Sequence, residues 1–289
     1  MHVTACTRRA LADDNVRALT LNLHCHQEAD ALGKLRAAAD FIAQEDIDIV
    51  LLQEVGQSLD GEIIETRAGV PIRSDNAAYI MQQRLQQFHG LDFDMHFAIA
   101  HIGFDRFQEG EAVLVRGSAS DAAVHVLDDP VMIASGWSRI AVSVVATLRS
   151  GHTVTAMSAH LGWWGNVEDS FEPQFGALAS AITSSPQRPV IIGADLNAPA
   201  GGPAHAHTMR TLRDAYLEAN PTGGGDATFP GLIDGWSDRP GARIDYILVS
   251  QDWPWRASEA AVVLDGSRGA RCSDHFGVMV DFDMPTRRP

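Results

Sequence analysis

The chain has 289 residues, 45% of them hydrophobic and 20% charged, which is long enough for a sizeable core and unlike a disordered or fibrous protein. Its 37 acidic and 22 basic residues give a formal charge of −15, which disfavours long nucleic acid as a partner. The N-terminal segment has no apolar stretch and apolar runs are short, which predicts a cytoplasmic protein with no membrane partner. The oligomeric state is not predicted.

Short apolar runs rich in β-branched residues predict strands, and apolar positions at helical spacing predict helices. The predicted strands are 18–23, 47–52, 112–115, 140–148, 153–159, 190–193, 244–249, 260–264 and 278–282. The predicted helices are 29–44, 76–88, 171–182 and 207–218. Strands outnumber helices and come mostly in pairs, so we expect an α/β (α+β) chain with two packed β-sheets flanked by helices. No Pro/Gly-rich linker divides the chain, which predicts a single domain over residues 1–289 with its core at about 17–284.

Polar and acidic side chains stand where several buried strands end, or just before one begins. These residues are Asn22, Glu54, His160, Asp195, Asn197, Asp245, Asp274 and His275. A lone buried carboxylate costs several kcal/mol or becomes protonated, so four acids ending in one neighbourhood predict a bound cation. Carboxylate and amide oxygens without a thiolate favour a hard ion, and Mg²⁺ fits best, with Mn²⁺ as a possible substitute.

Spacing within this set suggests a division of tasks. Asp195 and Asn197 are two residues apart, so on extended backbone both side chains point to one side, where one can position a water and the other a phosphoryl oxygen. The alternatives are structural. His160 alone is more often a core imidazole than a catalyst, and Asp245 can pair with Arg243.

The same pieces resemble those of the endonuclease/exonuclease/phosphatase superfamily. They are Leu-Asn22, Leu-Gln-Glu54, Ser-Ala-His160-Leu, Gly-Ala-Asp195-Leu-Asn197, Arg-Ile-Asp245-Tyr-Ile and Ser-Asp274-His275, in the superfamily's order. The resemblance implies a deoxyribonuclease I-like, four-layer α/β/β/α sandwich with two mixed sheets, and a metal-dependent hydrolase of phosphate ester bonds. It also implies roles for the residues: metal ligands Asn22, Glu54 and Asp274; water activation by Asp195 and Asn197; phosphoryl binding by His160 and His275; orientation of His275 by Asp245.

Five further segments are Leu-Asn22-Leu-His24, Asp75-Asn76-Ala-Ala-Tyr79, His101-Ile-Gly-Phe-Asp105-Arg106-Phe-Gln-Glu109-Gly110, His160-Leu-Gly-Trp163-Trp164 and Ile233-Asp234-Gly-Trp236. By these segments the chain more closely resembles the bacterial branch that contains maltose 6'-phosphate phosphatase. One departure from many nucleases of the superfamily is His24, which stands where they carry an acid, and we expect it to bind phosphate. The substrate residues implied by the branch are His24, Arg106, Glu109, Trp163, Trp164, Asp234 and Trp236. The tryptophans are expected to stack on sugar faces and Asp234 to bind hydroxyls.

Two of these substrate residues carry further expectations. Arg106 is expected to bind a phosphate oxygen, and Glu109 to orient His160. The alternatives are that the Trp163 and Trp164 pair only packs, and that Arg106 forms a surface salt bridge.

Together these features predict a Mg²⁺-dependent phosphomonoesterase that hydrolyses a small phosphorylated metabolite by attack of an activated water. A sugar phosphate such as maltose 6'-phosphate is the expected substrate, which places the protein in carbohydrate metabolism. The alternative is a phosphodiesterase of the same superfamily, either a nuclease or a sphingomyelinase-like enzyme. The acidity of the chain and its lack of a Lys/Arg-rich groove segment or amphipathic anchor count against that alternative. A binding module that has lost the chemistry is a third hypothesis.

Overall fold

The computed structural model describes residues 15–128, 138–184, 188–223, 225–231 and 240–283. Within them two six-stranded mixed sheets pack face to face, and helices cover the outer face of each sheet. The predicted four-layer α/β/β/α sandwich is therefore confirmed. No helix in these ranges is long and apolar enough to cross a bilayer.

The first sheet has the strand order β15-β16-β1-β2-β6-β5. Its strands are β1 (Val16–Asn22), β2 (Ile49–Ser58), β5 (Asp94–Gly103), β6 (Phe107–Val115), β15 (Arg256–Val263) and β16 (Gly277–Asp283). The central strands β1 and β2 are parallel, with Asn22 opposite Gln53. Asn22 and Glu54 therefore reach the same edge of the sheet, because parallel strands end on the same side.

The second sheet has the order β11-β14-β10-β9-β8-β7. Its strands are β7 (Gly117–Val126), β8 (Ile140–Leu148), β9 (Thr153–His160), β10 (Val190–Asp195), β11 (Leu212–Asp214) and β14 (Asp245–Ser250). Parallel pairing of β9 with β10 sets His160 opposite Asp195, and antiparallel pairing of β14 with β10 sets Asp245 opposite Asp195. The pairing of β10 with its two neighbours thus places three of the predicted site residues side by side.

Helices and short hairpins complete the described part of the chain. The helices are a 3₁₀ turn (His24–His26), α1 (Ala31–Gln44), α2 (Ala77–His89), α3 (Phe171–Ser184), α4 (Pro203–Thr208) and α5 (Ala215–Ala219). Two short two-stranded sheets pair β3 (Ile63–Arg67) with β4 (Val70–Arg73), and β12 (Phe229–Gly231) with β13 (Pro240–Ala242). The predicted helix over 207–218 is wrong, because Leu212–Asp214 pairs with β14 as a strand and separates α4 from α5.

An apolar interface holds the two sheets together below the edge that carries the polar residues. Leu51 of β2 and Ile191 of β10 are fully buried in it, and each side chain of this kind stabilises the fold by about 1.5–3 kcal/mol. Gly193 allows β10 to approach β2 closely, since a Cβ at this position would lie 2.4 Å from the Leu51 Cβ. The glycine therefore lets β10 lie close against the first sheet two residues before Asp195.

Candidate metal and phosphate site

The centre of the site is the side chain of Asn22, which is fully buried at the end of β1. Its Nδ2 donates to Glu54 Oε1 at 2.8 Å and to Asp195 Oδ2 at 3.1 Å. Its Oδ1 accepts the backbone N–H of His24 at 2.9 Å. One amide thus joins carboxylates from both sheets, and burial without such partners would be costly for all three groups.

Glu54 reaches the centre through an irregularity in its strand. The pairing of β2 with β6 shifts register between Leu52 and Val55, and Glu54 itself has a φ of 48°. Non-glycine residues avoid this left-handed region, and bulges of this kind redirect a side chain at functional sites. The bulge therefore turns the carboxylate to the edge, where its Oε1 lies 3.9 Å from His160 Nδ1.

Asn197 fixes both Asp195 and His160. Its backbone N–H donates to Asp195 Oδ1 at 2.8 Å, and its Nδ2 donates to the carbonyl oxygen of Leu161 at 2.8 Å. The same Nδ2 lies 3.0 Å from His160 Nε2. A carbonyl can only accept, so the amide nitrogen is the atom that faces both groups, His160 Nε2 is an acceptor, and the imidazole proton lies on Nδ1.

The two histidines are held in opposite protonation states. Burial lowers the pKa of His160 well below its usual value, and the positive charge of Arg139 lowers it further. Burial alone would also lower the pKa of His275, but Asp245 lies 3.0 Å from its Nδ1 and raises that pKa well above the usual value. The site therefore pairs a neutral imidazole with an imidazolium.

Asp195 lies between these two rings. Its Oδ2 is 3.7 Å from His160 Nε2 and 3.8 Å from His275 Nδ1. Burial, followed by the carboxylate of Asp245, raises the pKa of Asp195 to about 7, although His275 and the hydrogen bonds from Asn197 and Asn22 lower it. A carboxylate of this basicity can exchange a proton with water near neutral pH.

The donor set fits a hard divalent cation. Ligand atoms lie within 4.8 Å of one another in three groups: Glu54, His160 and Asp195; Asp195, Asp245 and His275; His24, Glu28 and Asp274. Most are carboxylate oxygens, and none is a thiolate. Asp195 and Asp245 are both buried and lie opposite each other on β10 and β14, and two adjacent buried carboxylates are costly without a cation.

Asp274 lies with His24 and Glu28 rather than in one ligand group with Glu54. His24 Nδ1 is 2.9 Å from Glu28 Oε1 and 3.4 Å from Asp274 Oδ1, and Glu28 also pairs with Lys34. His24 has a φ of 54°, and Cys25 and His26 also have positive φ, so this turn departs from a regular 3₁₀ helix. Glu28 was not predicted from the sequence, although its position four residues after His24 is a readable spacing.

Two of the three predicted tryptophans lie beside Asn197. Trp163 and Trp164, in the loop after β9, line a cavity of about 220 Å³ together with Asn197. Trp163 also packs against Phe229 and Ile244. This side chain therefore contributes to packing, as the alternative predicted, and also lies beside the site. Trp164 is 39% exposed.

Other predicted substrate residues are placed differently. Arg106 is exposed on the turn between β5 and β6, where its guanidinium lies 5.3 Å from the ring centre of Phe107. Glu109 is buried; its Oε1 lies 3.4 Å from His101 Nε2, and the Cys25 thiol donates to it. Glu109 was expected to orient His160, but the residue that contacts the His160 ring is Asn197. Asp234 and Trp236 lie outside the described residues.

Two ion pairs near the site were missed or misassigned. Arg139 is buried just before β8 and pairs with Asp169 at 2.8 Å, and its charge acts on Glu54 and Glu109. An arginine directly before an apolar strand is the signal that sequence reading overlooked. Arg243 pairs with Asp214 at 2.7 Å, so the alternative that it pairs with Asp245 is wrong.

Fold and site together define a hydrolase of phosphate ester bonds, with carboxylates and imidazoles at one edge of a four-layer sandwich. The sequence profile of the Endonuclease/Exonuclease/phosphatase family matches residues 19–275. The chain belongs to this family. A comparison with curated proteins finds no match.

Solved structures share the fold at low identity. An endonuclease/exonuclease/phosphatase family protein from Leptotrichia buccalis has a TM-score of 0.77 and 24% identity, over 93% of this chain and 100% of that chain. A mannosyl-6-phosphatase from Bacteroides thetaiotaomicron has a TM-score of 0.66 and 16% identity, over 93% and 100%. TDP2 from D. rerio, complexed with a single-strand DNA product, has a TM-score of 0.65 and 16% identity, over 93% and 99%.

Proposed function

We propose that the protein is a Mg²⁺-dependent phosphomonoesterase that hydrolyses a small sugar phosphate by attack of an activated water. The observation that carries the proposal is the position of Asp195. Its carboxylate lies within 4 Å of a neutral His160 and of a protonated His275, and it is held by two amides. This combination supplies a base, a cationic donor and fixed geometry in one place.

Each residue has a task in this proposal. Asp195 takes a proton from the attacking water, while Asn197 holds that carboxylate and the neutral ring of His160. Asp245 occupies His275 Nδ1, so the opposite N–H of the imidazolium is directed to a phosphoryl oxygen. Mn²⁺ is a possible substitute for Mg²⁺.

Glu54 and Asn22 would hold the metal, with the Asn22 Nδ2 fixing the Glu54 carboxylate. Asp274 would contribute from the neighbouring group that it forms with His24 and Glu28. The bound metal supplies neutralisation of charge on the phosphoryl group.

Three observations favour a small monoester over a nucleic acid or a lipid. The formal charge of −15 repels a polyanion. The cavity beside Asn197 measures about 220 Å³, below the roughly 300–1,000 Å³ of pockets for drug-sized ligands. One solved structure with this fold is named a mannosyl-6-phosphatase, although the fold is also that of TDP2 with its DNA product. The diester alternative is therefore the outcome to test against.

The test is release of inorganic phosphate from a panel of hexose phosphates, with Mg²⁺ and with EDTA. We expect release only with Mg²⁺, and a loss of about 10²–10⁴-fold in Asp195→Ala. Asp283→Ala, which removes an exposed carboxylate at the end of β16, is the matched control and should keep full activity. Equal release with EDTA, or faster cleavage of bis(p-nitrophenyl) phosphate, plasmid DNA or sphingomyelin than of any monoester, refutes the proposal.

A further inference from the structure

The turn that follows β1 is wound in the left-handed sense. His24, Cys25 and His26 have φ angles of 54°, 37° and 61°, and the ψ of Cys25 is 53°. None of the three is a glycine, and the Cβ of an L-residue is crowded in this region, so residues adopt it singly and runs are rare. Three left-handed residues in succession therefore need contacts that hold them in place.

His26 supplies contacts of this kind. Its ring Nε2 lies 2.9 Å from the carbonyl oxygen of Gly56 on β2 and 3.0 Å from that of Asp75 in the loop before α2. A carbonyl oxygen can only accept, so Nε2 carries the proton and donates to both. Gly56 permits this approach, because a Cβ there would lie 2.9 Å from the His26 Cδ2 and 2.9 Å from the Cys25 Sγ. One imidazole thus ties the turn to β2 and to the loop before α2.

The neighbours of His26 in the turn are held differently. The His24 ring lies against the carboxylate of Glu28, at 2.9 Å, and the Cys25 thiol against that of Glu109. Carboxylates at the ends of side chains can move. The partners of His26 are main-chain oxygens instead, and one of them belongs to a strand in the middle of the first sheet. His26 is therefore the anchor that fixes the backbone of the turn.

The other end of the turn sets the orientation of Asn22. The backbone N–H of His24 donates to Asn22 Oδ1 at 2.9 Å, which directs Nδ2 to Glu54 and Asp195. An amide turned the other way would present its oxygen to two carboxylates and its N–H groups to another donor. The position of the His24 N–H thus selects the orientation in which Asn22 joins the two sheets.

We propose that His26 is a positioning residue for the metal site. It holds the left-handed turn, so that the His24 N–H fixes Asn22 and the amide of Asn22 fixes Glu54. This role rests on the Mg²⁺ site of the proposed function and gives a task to a histidine that takes no part in the proposed chemistry. Groups that orient metal ligands in this way typically change metal affinity or activity by about 10–100-fold when they are removed.

The test measures Mn²⁺ binding without substrate, by electron paramagnetic resonance of the free ion. His26→Gln places an N–H donor about where Nε2 lies, whereas His26→Asn tolerates the left-handed backbone but is too short to reach the two carbonyls. We expect His26→Asn to weaken Mn²⁺ binding roughly 10–100-fold and His26→Gln to stay within about threefold of the parent. His89→Asn, which removes an imidazole 2.7 Å from Asp40 at the end of α2, is the matched control and should bind Mn²⁺ as the parent does.

A second perturbation and a stability measurement complete the design. Gly56→Ala would press a methyl group against the same turn and should also weaken Mn²⁺ binding. Urea denaturation identifies the conditions under which each variant is folded, so that loss of Mn²⁺ affinity is compared between folded proteins. In phosphate release, kcat should fall in His26→Asn and recover in His26→Gln.

The outcomes separate this role from the proposed function. Mn²⁺ affinity like that of the parent in either disruptive variant, or an equal loss in His26→Gln, overturns the positioning role while phosphatase activity of the parent stands. Absence of phosphate release from every monoester by the parent overturns the proposed function instead, and the Mn²⁺ comparison still decides the role of His26.

Discussion

Replacing Asp214 by Asn should destabilise the protein more than most single changes at its surface. Asp214 accepts from Arg243 Nη2 at 2.7 Å and lies 3.0 Å from His205 Nε2, and its other oxygen caps α5 through the N–H of Tyr216 at 3.0 Å. Both side chains of the ion pair are 1% exposed. Asn keeps the volume but leaves a buried guanidinium without its counter-charge, which costs about 3–5 kcal/mol.

The pH dependence has a definite sign. Burial alone would raise the pKa of Asp214, but the hydrogen bond from His205 and the charge of Arg243 lower it below the usual value. A depressed folded-state pKa stabilises the fold above the unfolded value of about 3.9, and this contribution disappears as pH falls through the folded pKa. The stability difference between parent and variant should therefore be full at pH 7 and shrink below about pH 4.

Urea denaturation followed by tryptophan fluorescence, repeated from pH 7 to pH 3.5, measures both effects. At about 2–4 °C per kcal/mol, the expected loss corresponds to a melting point lower by roughly 10 °C. The double variant Asp214→Asn with Arg243→Met serves as control and should recover much of the loss, because the uncompensated charge is gone. A loss below about 1 kcal/mol at pH 7, or a loss that grows as pH falls, contradicts the argument.

Three further predictions concern the sandwich and the site. Gly193→Ala should cost roughly 1–3 kcal/mol in urea denaturation because its Cβ would lie 2.4 Å from the facing sheet, whereas Gly176→Ala, in open space on α3, should be neutral or stabilising. Glu111→Gln should change stability by less than about 1 kcal/mol, since burial raises the pKa of Glu111 well above its usual value and a neutral amide can keep the 2.8 Å contact with Ser158. Mg²⁺ at 100 times its Kd should stabilise the parent by about 2.7 kcal/mol in thermal unfolding, with a clearly smaller effect in Glu54→Gln; an equal effect would argue against this ligand.

The sequence predicts the strands that carry the site because each is a buried apolar run with an abrupt polar end. The predicted strand 190–193 and the residues Asp195 and Asn197 lie where this pattern requires, at the end of β10. The pattern fails at β7, whose residues alternate poorly and are mostly exposed at the edge of its sheet. It also fails at 207–218, where helical spacing competes with strand pairing to β14 and the pairing prevails.

Contacts between side chains across the sandwich cannot be predicted from the positions where strands end. The pairing of Asp274 with His24, and of Arg139 with Asp169, depends on how loops fold over the edge, and no spacing along the chain encodes it. The left-handed backbone of Glu54 depends on a register shift with β6, which appears only when the partner strand is in place. Residue identity predicts which groups converge, while tertiary pairing decides which of them touch.

The same architecture that assembles the charges also sets their chemistry. Register between β9, β10 and β14 forces His160, Asp195 and Asp245 into adjacent positions, and their burial strengthens the interactions between their charges. Burial raises the pKa of Asp195, and the hydrogen bonds from Asn22 and Asn197 lower it, which leaves it at about 7. Burial and the charge of Arg139 keep His160 neutral, whereas Asp245 keeps His275 protonated. The chain's own residues thus set these three charge states before any substrate contributes.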